Sequence, residues 1–151
     1  MVSICLYFQV HQPFRLQQYQ VFDIGSDKSY FDDIKNQEVL KKVAKKCYLP
    51  ANSLLLELLQ QHPKFKISFS FSGVFLEQCE KYMPEILESF KQLVKTGQVE
   101  ILAETYHHSL AFLYSEKEFE AQIKLHAEKI HQLFGLTPTV FRNTELIYNN
   151  A

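Results

Sequence analysis

Phe65-Lys66-Ile67-Ser68-Phe69-Ser70-Phe71-Ser72-Gly73 alternates without interruption. Phe65, Ile67, Phe69 and Phe71 share one side, Lys66, Ser68, Ser70 and Ser72 share the other, and Gly73 ends the pattern. A period of two is that of a β-strand, whose successive side chains point to opposite faces. The two faces differ chemically. One asks for a hydrophobic layer. The other is a row of small hydroxyls where a purely structural barrel interior would take Val or Ile.

The same period recurs on either side. Val2, Ile4, Leu6, Phe8 and Val10 alternate with Ser3, Cys5, Tyr7 and Gln9. Further strands are expected over about Val99–Ala103 and Thr139–Asn143, the last opened by Pro138. Helical spacing fills the intervals. Val39, Leu40, Val43, Ala44 and Cys47 form one apolar stripe. Pro50 should stop that helix, and a second should start at Asn52 or Ser53 and run to Gln61. Pro84 suits a first helical position and Gly97 the C-terminal glycine of the same helix. Ser115 and Glu118 make a capping box. The helix they open carries Phe119, Ile123, Ala127, Ile130 and Phe134 inward and ends at Gly135. Strands separated by helices predict an α/β fold with about four parallel strands. Residues 12–37 show no period, and unstructured stretches that long usually have a function.

Composition narrows the classes. The chain has 151 residues, 46% hydrophobic, with only 4 Gly and 5 Pro, which excludes low-complexity and collagen-like chains. With 16 basic and 17 acidic residues the net charge is -1, so no nucleic-acid or anionic-membrane footprint exists. Cys5, Cys47 and Cys79 are odd in number and form no CxxC pair, which points to reduced thiols and a cytoplasmic protein. No apolar run approaches the roughly 20 residues of a membrane span. Met1–Val10 lacks the basic start of a signal peptide.

In parallel α/β folds, functional groups gather at the C-terminal ends of strands. Those ends read His11-Gln12, Ser72-Gly73, Glu104-Thr105-Tyr106-His107-His108 and Arg142-Asn143-Thr144-Glu145. Each has a plain structural reading too. His11 alone suits a hydrogen-bonded core histidine. His107 and His108, read as strand residues, face opposite ways, so one is structural. His126 and His131, five apart, read as ordinary helix residues. Glu145 beside Arg142 suits a surface salt bridge. Their convergence on one rim favours a site.

Three runs carry a resemblance: Phe8-Gln9-Val10-His11-Gln12-Pro13-Phe14-Arg15-Leu16, the stretch from Gly97 to Leu110, and Phe141-Arg142-Asn143-Thr144-Glu145-Leu146-Ile147-Tyr148. In sequence and order they resemble the first three regions of glycoside hydrolase family 57, above all its α-amylase-type members. The resemblance implies the N-terminal portion of an irregular (β/α)7 barrel and a retaining mechanism on α-glucans or maltooligosaccharides. It assigns the nucleophile to Glu145 and substrate binding to His11 and Glu104, with His107, Gln12, Arg142 and Asn143 as further candidates. The acid/base aspartate falls in a fourth region, beyond Ala151. No metal or cofactor is implied.

The 151 residues taken alone are therefore expected to be inactive and marginally stable. Two alternatives remain: a metal-dependent polysaccharide deacetylase-like barrel, which would need an Asp and two His as ligands and has no H-x-x-x-H here, and a non-catalytic carbohydrate-binding fragment.

Overall fold

The computed structural model describes residues 4–146. Val2 and Ser3 of the expected first strand, and Ile147 and Tyr148 of the third motif, lie outside the described residues. Three strands, β1 (Tyr7–Val10), β2 (Ile67–Phe71) and β3 (Val99–Leu102), form a parallel sheet in that order. The register sets Tyr7 beside Ser68 and Gln9 beside Ser70 on one face, and Phe8 beside Phe69 and Val10 beside Phe71 on the other. Ser68 lies opposite Glu100 and Phe69 opposite Ile101. The alternation of the sequence thus becomes one polar and one apolar face across the sheet, except at Leu102, which pairs with Ser70. The strand expected over 139–143 is cut to a single parallel bridge. Phe141 pairs with Ala103, Ala103 N donates to Val140 O at 2.8 Å and Arg142 N donates to Ala103 O at 2.9 Å. Pro138 has no N–H to extend that ladder.

Helices α1 (Asp33–Val43), α2 (Leu49–Gln61), α3 (Gly73–Tyr82), α4 (Pro84–Val94) and α5 (Glu116–Phe134) complete the described chain with short 3-10 turns. The core lies on the apolar face. Phe90 of α4 packs edge-on against Phe71 at 4.7 Å and Phe69 at 5.5 Å, and Phe75 of α3 joins them. Ser72 ends β2 and caps α3 with its hydroxyl. Gly73 is required there, because a Cβ would sit 2.4 Å from the Tyr106 ring.

Pro50 does not stop a helix. A five-residue π turn, Ala44–Tyr48, joins α1 to α2 without a break in the helical backbone, and Pro50 falls in the first turn of α2. Asn52 is accordingly no cap; it is buried and donates to Ser89 Oγ at 2.9 Å. The buried stripe runs Asn36, Leu40 and Ala44, and Cys47, within the π turn, is exposed. Pro84 opens α4, and Ser115 accepts from Glu118 N to open α5, whose αL cap is Gly135. Of the expected inward set of α5, Ile130 is fully buried and Phe119, Ile123, Ala127 and Phe134 are half-buried, while Gln122 and His126 join Ile130 in the deepest stripe. His126 is buried because its ring reaches the end of β2, with Nε2 donating to Phe71 O at 2.7 Å.

The aperiodic stretch is ordered by distant partners. Asp32 N donates to Arg15 O at 2.9 Å and Gln17 N to Tyr30 O at 2.8 Å, around an antiparallel bridge between Leu16 and Phe31. Buried Asn36 of α1 accepts from Arg15 N at 2.8 Å. No helix of the described residues is long and apolar enough to cross a membrane.

Candidate functional site

The polar face leads into a cluster at the C-terminal ends of the strands. Tyr7 OH and Ser70 Oγ lie 2.6 Å apart, and Ser70 Oγ donates to Glu104 Oε2 at 3.5 Å. Glu104 is 1% exposed, yet its Oε1 has no hydrogen-bond partner among the described residues. A carboxylate buried with half its acceptors unused is costly, and such groups belong to sites rather than to scaffolding.

His108 sits over that carboxylate, its Nδ1 3.4 Å from Glu104 Oε2. The opposite ring nitrogen, Nε2, lies 4.0 Å from Glu145 Oε1. Gln9 Nε2 reaches the same ring at 3.2 Å. His11 stacks on His108 with centroids 4.3 Å apart, and its Nδ1 lies 2.7 Å from the Ser72 hydroxyl. Burial, then the His108 charge, lowers the His11 pKa, while Glu104 raises it. His11 is held toward its neutral form.

Two residues here have unusual backbones. Among the described residues, His108 and Glu145 are the non-glycine residues with positive φ, both at 54°. That left-handed conformation carries strain that persists where surrounding structure imposes it, and such strain clusters at functional sites. The two strained residues face each other.

The remaining expected site residues are placed differently. Arg142 lies with its guanidinium 4.7 Å from the Tyr7 ring centre and donates to Gln9 Oε1 at 3.3 Å, so it flanks the polar face. Asn143 Oδ1 accepts from Thr144 N at 3.0 Å, fixing the turn that bears Glu145. Gln12 is drawn aside: its amide donates to Tyr48 OH at 3.2 Å and accepts from Arg15 at 3.1 Å. His107 is exposed and packs edge-on against Tyr106. It shares a cavity of about 690 Å³ with His11, His108, Phe14 and Phe31. Both histidines therefore line one cavity, contrary to the strand-based expectation, because the chain turns after Tyr106 and places them outside strand alternation. The sequence reading passed over His108. Ser70, Ser72 and Gln9 were recognised as polar-face residues, but not as supports of the histidines. Among the described residues no three His, Cys, Asp or Glu side chains are arranged to hold a metal ion.

Residues 5–151 match the profile described as "Glycosyl hydrolase family 57". Over 146 residues, 95% of this chain and 31% of the relative, the chain is 48% identical to a "Putative alpha-amylase" of Methanocaldococcus jannaschii. The crystal structure of 4-alpha-glucanotransferase from Thermococcus litoralis superposes with a TM-score of 0.68 at 22% identity, covering 96% of this chain and 19% of that one. A structure described as a "putative polysaccharide deacetylase" from Mycobacterium smegmatis gives a lower TM-score of 0.57 at 15% identity, covering 97% of this chain and 44% of that one, a likeness of fold alone. The chain thus spans about a third or less of the length of its family relatives. With the profile matched along nearly its whole length, this chain belongs to glycosyl hydrolase family 57.

Proposed function

We propose that this chain forms one wall of a barrel enzyme that hydrolyses or transfers α-glucans with retention, and that Glu145 is its nucleophile. The observation that carries the reading is the pair of strained residues, His108 and Glu145, facing each other above buried Glu104.

The chemistry needs two carboxyl groups about 5–5.5 Å apart. A Glu145 oxygen attacks the anomeric carbon as the glycosidic C–O bond breaks. The second carboxyl protonates the departing oxygen, then takes a proton from the water or sugar hydroxyl that displaces Glu145. That second group is the aspartate the family resemblance places beyond Ala151. Glu104 instead anchors His108, whose opposite ring nitrogen lies beside Glu145. Ser72 Oγ accepts from Phe75 N at 3.4 Å, and in this reading its hydroxyl donates to His11 Nδ1, 2.7 Å away. His11 Nε2–H is then a neutral donor for a sugar hydroxyl.

The test is turnover of amylose by the enzyme that contains this chain. Glu145→Gln keeps the shape and removes the nucleophile, so the rate should fall by several powers of ten. An activated fluoro-glycoside that traps the glycosyl-enzyme should label Glu145, as read by peptide mass. Wild-type turnover in the Gln variant, or a label on another residue, overturns the assignment.

A further inference from the structure

We propose that Thr105 and Gln122 are positioning residues, which from behind the rim fix where His108 stands relative to Glu145. The inference rests on the reading of Glu145 as nucleophile and adds to it what holds the two strained residues in place.

The turn after β3 is pinned at three consecutive amides. His107 N donates to Gln122 Oε1 at 3.3 Å, His108 N to Thr105 O at 3.0 Å and Ser109 N to Thr105 Oγ1 at 3.0 Å. Gln122 Oε1 also accepts from Ser109 Oγ at 2.8 Å, so one side-chain carbonyl of α5 grips both neighbours of His108. Gln122 Nε2 donates to Glu118 Oε1 at 2.8 Å, which fixes the orientation of the amide. A left-handed residue persists where its surroundings over-determine it, and these bonds are what over-determine His108.

The same turn is tied to the segment that bears Glu145. Thr105 Oγ1 and Thr144 Oγ1 lie 2.9 Å apart, and Thr144 directly precedes Glu145. At the front, His108 Nε2 and Glu145 Oε1 are 4.0 Å apart, beyond hydrogen-bond length. The spacing of the two strained residues is therefore set by the bond behind them and not by their own contact.

Burial points the same way. Thr105, Thr144 and Gln122 are all buried. Val and Met would fill the same volumes without the cost of taking polar atoms out of water, so packing alone does not call for these residues. None of the three lines the cavity that holds His11, His107 and His108, so each acts through another residue.

The experiment is steady-state turnover of amylose by the enzyme that contains this chain, with competent sites counted by the activated fluoro-glycoside. Thr105→Val should lower kcat per labelled site about tenfold with KM unchanged, the scale of a modest misplacement, and Thr105→Ser should recover most of the loss. Thr144→Val breaks the same bond from the other side, so it should give the same loss and the double variant no more. Gln122→Met should lower kcat per labelled site in the same way. An unchanged kcat per labelled site, with only fewer sites and a lower urea midpoint, means a purely structural role and overturns the proposal for the residue concerned. Losses that multiply in the double variant, or no recovery in Thr105→Ser, overturn the tie between the two turns. All of these outcomes leave the nucleophile assignment standing. A wild-type label on a residue other than Glu145 overturns that assignment, and this inference with it.

Discussion

Phe71 and Ser70 are neighbours in one strand and equally buried, each 0% exposed, yet they are buried by different physics. Phe71 lies among Phe69, Phe75, Phe90 and Phe134, with centroids 4.7 to 6.2 Å away. Ser70 lies against the Tyr7 hydroxyl and the Glu104 carboxylate. Burial of apolar area contributes roughly 25 cal/mol per Å², whereas an exchanged hydrogen bond contributes about 1 kcal/mol net. The helix-facing side of the sheet therefore carries most of the stability. The opposite side can hold groups chosen for chemistry, at a small cost to the fold.

The strongest way to break that comparison is Phe71→Ala. Truncating a fully buried aromatic should cost about 3–5 kcal/mol, read as a large fall in urea midpoint. Gly73→Ala, at the corner where β2 passes into the polar rim, comes next. Its Cβ would press on the Tyr106 ring at 2.4 Å, and forced overpacking costs about 1–3 kcal/mol. Ser70→Ala should cost only about 1 kcal/mol in the same assay, while disturbing Glu104 and so the site. If Ser70→Ala matched Phe71→Ala in stability, the division of labour between the faces would be wrong.

That division was legible because it is local. Alternation along β2 shows in nine residues, and the caps at Pro84, Ser115 and Gly135 are fixed by their own neighbours. What was lost depended on distant partners. The fourth strand shrank to a bridge because the Thr139–Asn143 segment pairs with Ala103 alone among the described residues. The π turn keeps the chain helical through Pro50, with Tyr48 packed on Phe75 and Phe90 in the core, an outcome residues 44–50 do not announce. The loop over 12–32 has no period because its order comes from pairing Arg15 with Asp32 and Gln17 with Tyr30. The site was half legible. Residue types at strand ends pointed to His11, Glu104 and Glu145, but choosing His108 over His107 requires the backbone turn with its φ of 54°.

The smallest effect, a pH dependence, compares one histidine on each side of the sheet. His126 is buried behind β2 and donates through Nε2 to Phe71 O, while its Nδ1 has no partner. Burial lowers its pKa from the ordinary 6.5, against smaller raising effects from the Phe71 carbonyl and Glu104. His11, half-buried at the rim, is lowered by burial and by His108. Below about pH 6.5 the unfolded chain binds protons that the folded chain resists, so stability rises with pH there. It should be complete above that value and be lost as pH falls toward the folded pKa values. Denaturant melts between about pH 7.5 and 5 test this at fixed salt. His126→Gln should flatten the slope more than His11→Gln, because His126 is fully buried whereas His11 is half-buried. Equal flattening would mean that the rim is as dry as the core; an unchanged slope in His126→Gln would show that carboxylates, not imidazoles, set the acid limb.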